Sequence, residues 1–124
     1  EVPNIKDFLE ETKEEKYIVT QPSMLRKINS SGSMGLNIIK DYCNTITTKQ
    51  MRCPNSGIID LGDGRYRYLT ERECWRLQGY SDEDFEAALS VHPGAPGKLN
   101  GALYKQSGNS IPVTILESIF KQII

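Results

Sequence analysis

The run Leu69-Thr70-Glu71-Arg72-Glu73-Cys74 leaves this chain few ways to fold locally. Thr70 and Glu73 have the spacing of a capping box, in which the threonine hydroxyl accepts the third helical amide and the glutamate carboxylate reaches back to the amide of the cap. A helix therefore starts at about Glu71. Leu69 ahead of the cap and Cys74 at the fourth helical position form a hydrophobic staple, and Gly79 suits the left-handed residue that closes such a helix. Arg72 and Arg76 share one helix face, a like-charge pair that costs ~0.2–0.5 kcal/mol unless an anion neutralises it. That anion is either an external phosphate or a carboxylate of this chain. In the second case Arg76 pairs with Glu73, or both arginines brace the neighbouring loop against nearby acids.

A chain of 124 residues suffices for one ordinary domain with a modest core. No apolar run approaches the ~20 residues that cross a bilayer, and the beginning has no basic-then-apolar signal pattern, so no membrane partner is expected. A first residue other than methionine is what a piece of a longer protein shows. Cys43, Cys53 and Cys74 are odd in number, lack a Cys-x-x-Cys pairing and accompany a lone His92. Neither a disulfide framework nor a metal site is favoured, and reduced cysteines in a cytoplasmic setting are the simpler reading. His92, in a His-Pro step with no acid or nucleophile beside it, reads as structural.

The net charge of −1 argues against a binder that holds nucleic acid by bulk positive charge. The distribution says more. Acids gather at Glu10, Glu11, Glu14 and Glu15 and again at Asp82, Glu83, Asp84 and Glu86, with Lys49, Arg52, Arg65, Arg67, Arg72 and Arg76 between them. This pattern is either a basic face between acidic flanks or ordinary solvated charge.

Periodicity gives an α+β chain. Ile5, Phe8 and Leu9 place a short amphipathic helix over about 4–15, Tyr17 to Thr20 reads as a strand, and Pro22 with Met24, Leu25 and Ile28 starts a second short helix. Residues 29–35 are a Ser/Gly-rich loop. Residues 44–48, 57–61 and 66–68 are β-branched or aromatic runs separated by Pro54-Asn55-Ser56 and Gly62-Asp63-Gly64, which predicts a small antiparallel sheet. Ser81 caps a further helix burying Phe85 and Leu89, and Ser110 caps a terminal amphipathic helix with an apolar stripe of Ile111, Ile115, Leu116, Ile119, Phe120 and Ile123.

Two blocks, Arg67-Tyr68-Leu69-Thr70-Glu71-Arg72-Glu73-Cys74-Trp75-Arg76-Leu77-Gln78-Gly79-Tyr80 and Gln106-Ser107-Gly108-Asn109-Ser110-Ile111-Pro112-Val113, resemble in order the last two motifs of DNA (cytosine-5)-methyltransferases. The family pattern runs Arg-x-Leu-Thr-x-Arg-Glu-x-x-Arg-Leu-x-Gly-aromatic, then Gln-x-Gly-Asn-Ser. The resemblance implies a target-recognition region over 1–66. Residues 67–124 would then hold the capped helix, the acidic helix and the terminal Gly-Asn-Ser helix, which returns to an α/β catalytic domain. It assigns scaffold roles to Arg67, Thr70, Arg72, Glu73, Arg76, Gly79, Gln106 and Gly108, and places Asn109 and Ser110 at the S-adenosyl-L-methionine pocket. Thr45-Ile46 looks like the Thr-aliphatic doublet of the family's recognition region. Thr45, Thr47, Lys49, Gln50 and Arg52 thereby become candidates for contact with double-stranded DNA, the last three carrying long donors suited to base edges or phosphates.

The family's nucleophile lies in a Pro-Cys step, whereas this sequence has only Cys53-Pro54, in the reverse order; its Phe-x-Gly-x-Gly and Glu-Asn-Val blocks are also absent. No catalytic residue is assigned, and Cys74 reads as a small core residue. The resemblance implies the C-terminal recognition and cofactor-wall segment of a prokaryotic or phage enzyme of the restriction-modification kind. By itself such a segment is inactive, and it self-associates through the apolar stripe its catalytic domain would cover. The rival is a DNA-binding or interaction module that kept this scaffold and lost the chemistry.

Overall fold

The computed structural model describes residues 5–12, 14–28, 38–40, 46, 50, 56–109 and 119–122. The expected helix over 4–15 is shortened to two 3-10 turns, Ile5–Phe8 and Glu15–Tyr17. The cause is at Glu10, whose amide donates to Glu73 Oε2 at 2.7 Å and whose carbonyl accepts from Arg67 Nη2 at 3.0 Å. A peptide unit bonded to a distant ion pair is withdrawn from any helical ladder. The expected strand over 17–20 contracts to a bridge between Ile18 and Arg67, flanked by Val19 N to Tyr66 O and Tyr68 N to Tyr17 O, both 2.8 Å. Helix α1, Pro22–Ile28, follows with Met24 buried.

Strands β1 (Ile59–Asp60) and β2 (Tyr66–Arg67) form the expected antiparallel pair, with Ile59 opposite Arg67 and Asp60 opposite Tyr66. Gly62 and Gly64 take φ of +84° and +86° in the turn between them, a backbone that side chains with a Cβ resist. Asp60 Oδ1 accepts Gly62 N at 2.8 Å. On the far side of β1, Ile38 makes a parallel bridge to Ile58. The layer therefore runs Ile38, β1, β2, Ile18.

Helix α2, Glu71–Leu77, starts where its capping box requires. Glu73 N donates to Thr70 Oγ1 at 3.1 Å, and Thr70 N donates to Glu73 Oε1 at 2.7 Å. Leu69 and Cys74 meet in one core cluster with Ile5, Ile39, Ile46 and Tyr104, and Gly79 closes the turn at φ +92°. Helix α3, Asp82–Val91, is capped by Ser81 and buries Phe85 against Trp75 and Leu103. Helix α4, Gly101–Gly108, was not expected; Asn100 caps it by accepting Leu103 N at 3.3 Å. Residues 119–122 are helical and exposed. Among the described residues no helix is long and apolar enough to cross a membrane. Loop 29–35, the run at 44–45 and 47–48 and residues 111–118 lie outside the described residues.

Candidate functional site

A buried ion pair organises the first motif block. Arg67 meets Glu73 through two parallel contacts, Nη1 to Oε1 at 2.8 Å and Nη2 to Oε2 at 2.9 Å, with side-chain exposures of 3% and 0%. Burying two charges is tolerable only when the remaining donors and acceptors are satisfied. Arg67 Nη1 also reaches Tyr68 O at 3.0 Å, and Glu73 also takes the amides of Thr70 and Glu10. Thr70 Oγ1 in turn donates to Glu10 Oε2 at 2.6 Å. Glu10 thus ties the amino-terminal segment to the motif through its amide, its carbonyl and its side chain.

The arginine face of α2 is neutralised from within. Arg76 Nε and Nη2 each lie 2.8 Å from a carboxylate oxygen of Asp82. Arg72 Nε lies 3.3 Å from Glu10, Arg72 also pairs with Glu86, and its guanidinium stacks 4.8 Å from the Phe85 ring. The Arg76 hydrogen bonds hold the Asp82 carboxyl below the usual carboxylate range. Arg65 pairs with Asp63. Bracing by nearby acids is therefore what the geometry supports. A continuous basic face does not form from Arg65, Arg67, Arg72 and Arg76, because each has a carboxylate partner. Arg76 pairs with Asp82 of the acidic helix rather than with Glu73, since Glu73 is engaged by Arg67.

Three side-chain bonds join the first motif block to α4, and the one from Gln78 reaches the second block at Ser107. Trp75 Nε1 donates to Leu103 O at 3.0 Å, Gln78 Nε2 to Ser107 O at 2.7 Å, and Tyr104 OH to Leu69 O at 2.6 Å. Burial pushes the Tyr104 phenol well above its ordinary range, so it stays a donor. Gln106 and Gly108 lie in the last turn of α4, and Asn109 is its exposed C-cap. Asn109 therefore closes α4, and the start of the helix expected to follow it lies outside the described residues. Ser110 lies outside the described residues.

Gln50 is 1% exposed and donates to Ser56 Oγ at 2.7 Å and to Cys74 Sγ at 3.8 Å. The Gln50 side chain thus faces inward, its amide bonded to Ser56 and to Cys74 of α2. Cys74 is a buried thiol outside any disulfide, packed in the core as expected. His92 is the C-cap of α3, and its carbonyl accepts Asn100 Nδ2 at 2.7 Å. Thr45, Thr47, Lys49 and Arg52 lie outside the described residues.

Sequence reasoning missed Glu10, Glu71, Asn100 and Tyr104. Asn100, Leu103, Tyr104 and Ser107 are all buried, and their spacing is that of one helical face behind an asparagine cap. The signal for α4 was therefore present. At the amino end of α4 a groove of about 530 Å³ opens between residues 10–12 and 14–17, the start of α2 and the loop 93–98, with Glu71 and Asn100 among its lining.

The first block is thus a capped helix bonded by its own side chains to α4, which ends at the Gly108-Asn109 step of the second block. Residues 3–124 match the C-5 cytosine-specific DNA methylase family, and the chain belongs to it. It is similar to the orphan methyltransferase M.Rho11sI of Bacillus phage rho11s, with 62% identity over 60 residues, covering 48% of this chain and 11% of that protein. It is also similar to the type II methyltransferase M.DsaV of Dactylococcopsis salina, with 26% identity over 128 residues, covering 95% of this chain and 34% of that protein. The chain thus spans about a third or less of these relatives. The crystal structure of S. pombe Dnmt2 methyltransferase shares the fold, with a TM-score of 0.68 at 24% identity over 97% of this chain and 39% of that one.

Proposed function

We propose that this chain is the C-terminal segment of a DNA (cytosine-5)-methyltransferase, with a recognition region over 1–66 and the two motif blocks over 67–124. It contributes DNA contacts and one wall of the cofactor pocket, while the nucleophilic cysteine and most of that pocket belong to a catalytic domain outside it. The observation that supports this reading is the bonding of the first block to α4, whose last turn opens the second block at Gln106 and Ser107.

S-adenosyl-L-methionine supplies the methyl group when bound. The donor set at the end of α4 suits its amino-acid part: Asn109 offers an exposed amide and Ser110 a hydroxyl, groups that donate and accept hydrogen bonds. The carboxyl end of a helix carries partial negative charge and favours a cation, so the ammonium of the amino acid is the better match there. Thr45, Thr47, Lys49 and Arg52 are the DNA contacts of this reading.

In the intact enzyme, Asn109→Ala is expected to weaken S-adenosyl-L-methionine binding about tenfold, the equivalent of one lost hydrogen bond of about 1.4 kcal/mol, and to leave DNA affinity nearly unchanged. Arg52→Ala should do the reverse, at roughly 1–3 kcal/mol if it reads a base. Titrating each variant with cofactor and with a panel of DNA sites separates the two. Equal losses on both ligands from both variants would mean that these residues only maintain the fold.

A further inference from the structure

Glu71 fills a position that the motif leaves open, between the specified Thr70 and Arg72. It is nonetheless buried, at 5% exposure. One carboxylate oxygen accepts the Tyr17 phenol, and the other accepts the main-chain amide of Asn100 at 2.8 Å. The helix cap does not use it, being completed by Thr70 and Glu73. Tyr17 precedes the bridge that attaches the amino-terminal segment to β2, and Asn100 is the cap of α4. One side chain therefore joins that segment, the start of α2 and the start of α4.

The far end of α4 is held by Gln78 on Ser107 O. A helix of this length is a rod of about 12 Å, so a displacement at Asn100 carries through to Asn109. A carboxylate with two directional acceptors fixes that seat, where an apolar side chain would only fill space. We propose that Glu71 is a positioning residue for methyl transfer, seating α4, and with it Asn109, against the amino-terminal segment through Tyr17. This rests on Asn109 being a cofactor contact. Burial, and then the bond to Glu71, raise the Tyr17 phenol far above its ordinary range, so it remains a donor at any working pH.

The test is steady-state kinetics of the intact enzyme with four variants, each followed by its melting temperature. Glu71→Ala should raise KM for S-adenosyl-L-methionine about tenfold, with kcat changed by less than about twofold, and Tyr17→Phe should raise KM about threefold. Glu71→Gln should restore KM, because its amide oxygen can accept Asn100 N while its amide nitrogen donates to the Tyr17 oxygen. Asn109→Ala calibrates the readout. If Asn109→Ala raises KM while Glu71→Ala and Tyr17→Phe lower only the melting temperature and the active fraction, the positioning role is overturned and the cofactor reading stands. Failure of Glu71→Gln to restore KM also overturns it. If Asn109→Ala leaves KM unchanged, the cofactor reading falls and this role with it. Should Glu71→Ala fail to fold, Tyr17→Phe decides: a raised KM supports the role and an unchanged one refutes it.

Discussion

The Arg67–Glu73 pair shows how a motif residue earns its place through what surrounds it. Each charge is buried and each remaining polar atom noted above has a partner, so removing one side strands the other. Arg67→Ala is expected to destabilise the protein by about 3–5 kcal/mol, read as a lower urea midpoint. A midpoint within error of the unmodified protein would show that the pair is not what holds α2 to β2. Gln50 teaches the opposite lesson. Its long donor suits a base edge or a phosphate, yet its amide is bonded inward to Ser56 and Cys74, and residue type alone does not say which way an amide faces. Gln50→Ala should lower stability by about 1–3 kcal/mol by leaving Ser56 and the Cys74 surroundings incomplete. Unfolding curves with a parallel DNA titration check this: affinity should be unchanged in whatever fraction remains folded.

At the level of elements, legibility followed how local the signal was. The α2 cap, the Ser81 cap of α3 and the Gly62-Asp63-Gly64 turn each depend on a few adjacent residues, and each appears as read. The helix over 4–15 was misjudged because its competitor is distant: Glu10 bonds residues more than fifty positions away. Helix α4 has local signals too, the Asn100 cap and a periodic buried face of Leu103, Tyr104 and Ser107, but its last turn overlaps the Gln-x-Gly-Asn-Ser block and shares its residues with that motif.

The acidic helix, read as a flank, proves to be the counterion of α2. Because the folded pKa of Asp82 is depressed, its contribution is present above the unfolded value and is lost as pH falls through the folded one, below about pH 4. Asp82 is half exposed and Arg76 partly so, so solvent screens the pair and the effect is small. Asp82→Asn should flatten the acid side of a melting temperature against pH plot, and an unaltered slope would remove the Arg76 bond from the stability of the α2–α3 contact.

For the whole molecule, family membership and fold agree with the ordered motif pair. The described end of the chain shows Ile119 at 45% and Phe120 at 56% exposure, large apolar groups that favour a covering surface. The isolated chain is accordingly expected to self-associate, with a sedimentation coefficient that rises with concentration; a monomer at every concentration would argue that this helix needs no partner.

The central claim is that recognition and one cofactor wall reside here while the transfer chemistry resides elsewhere. It is tested most directly by measuring methyl incorporation from labelled S-adenosyl-L-methionine into mixed-sequence duplex DNA. The isolated chain and the intact enzyme are compared side by side, with the product digested to identify 5-methylcytosine. The expected result is incorporation by the intact enzyme and none above background by the isolated chain. Sustained formation of 5-methylcytosine by the isolated chain would contradict the claim.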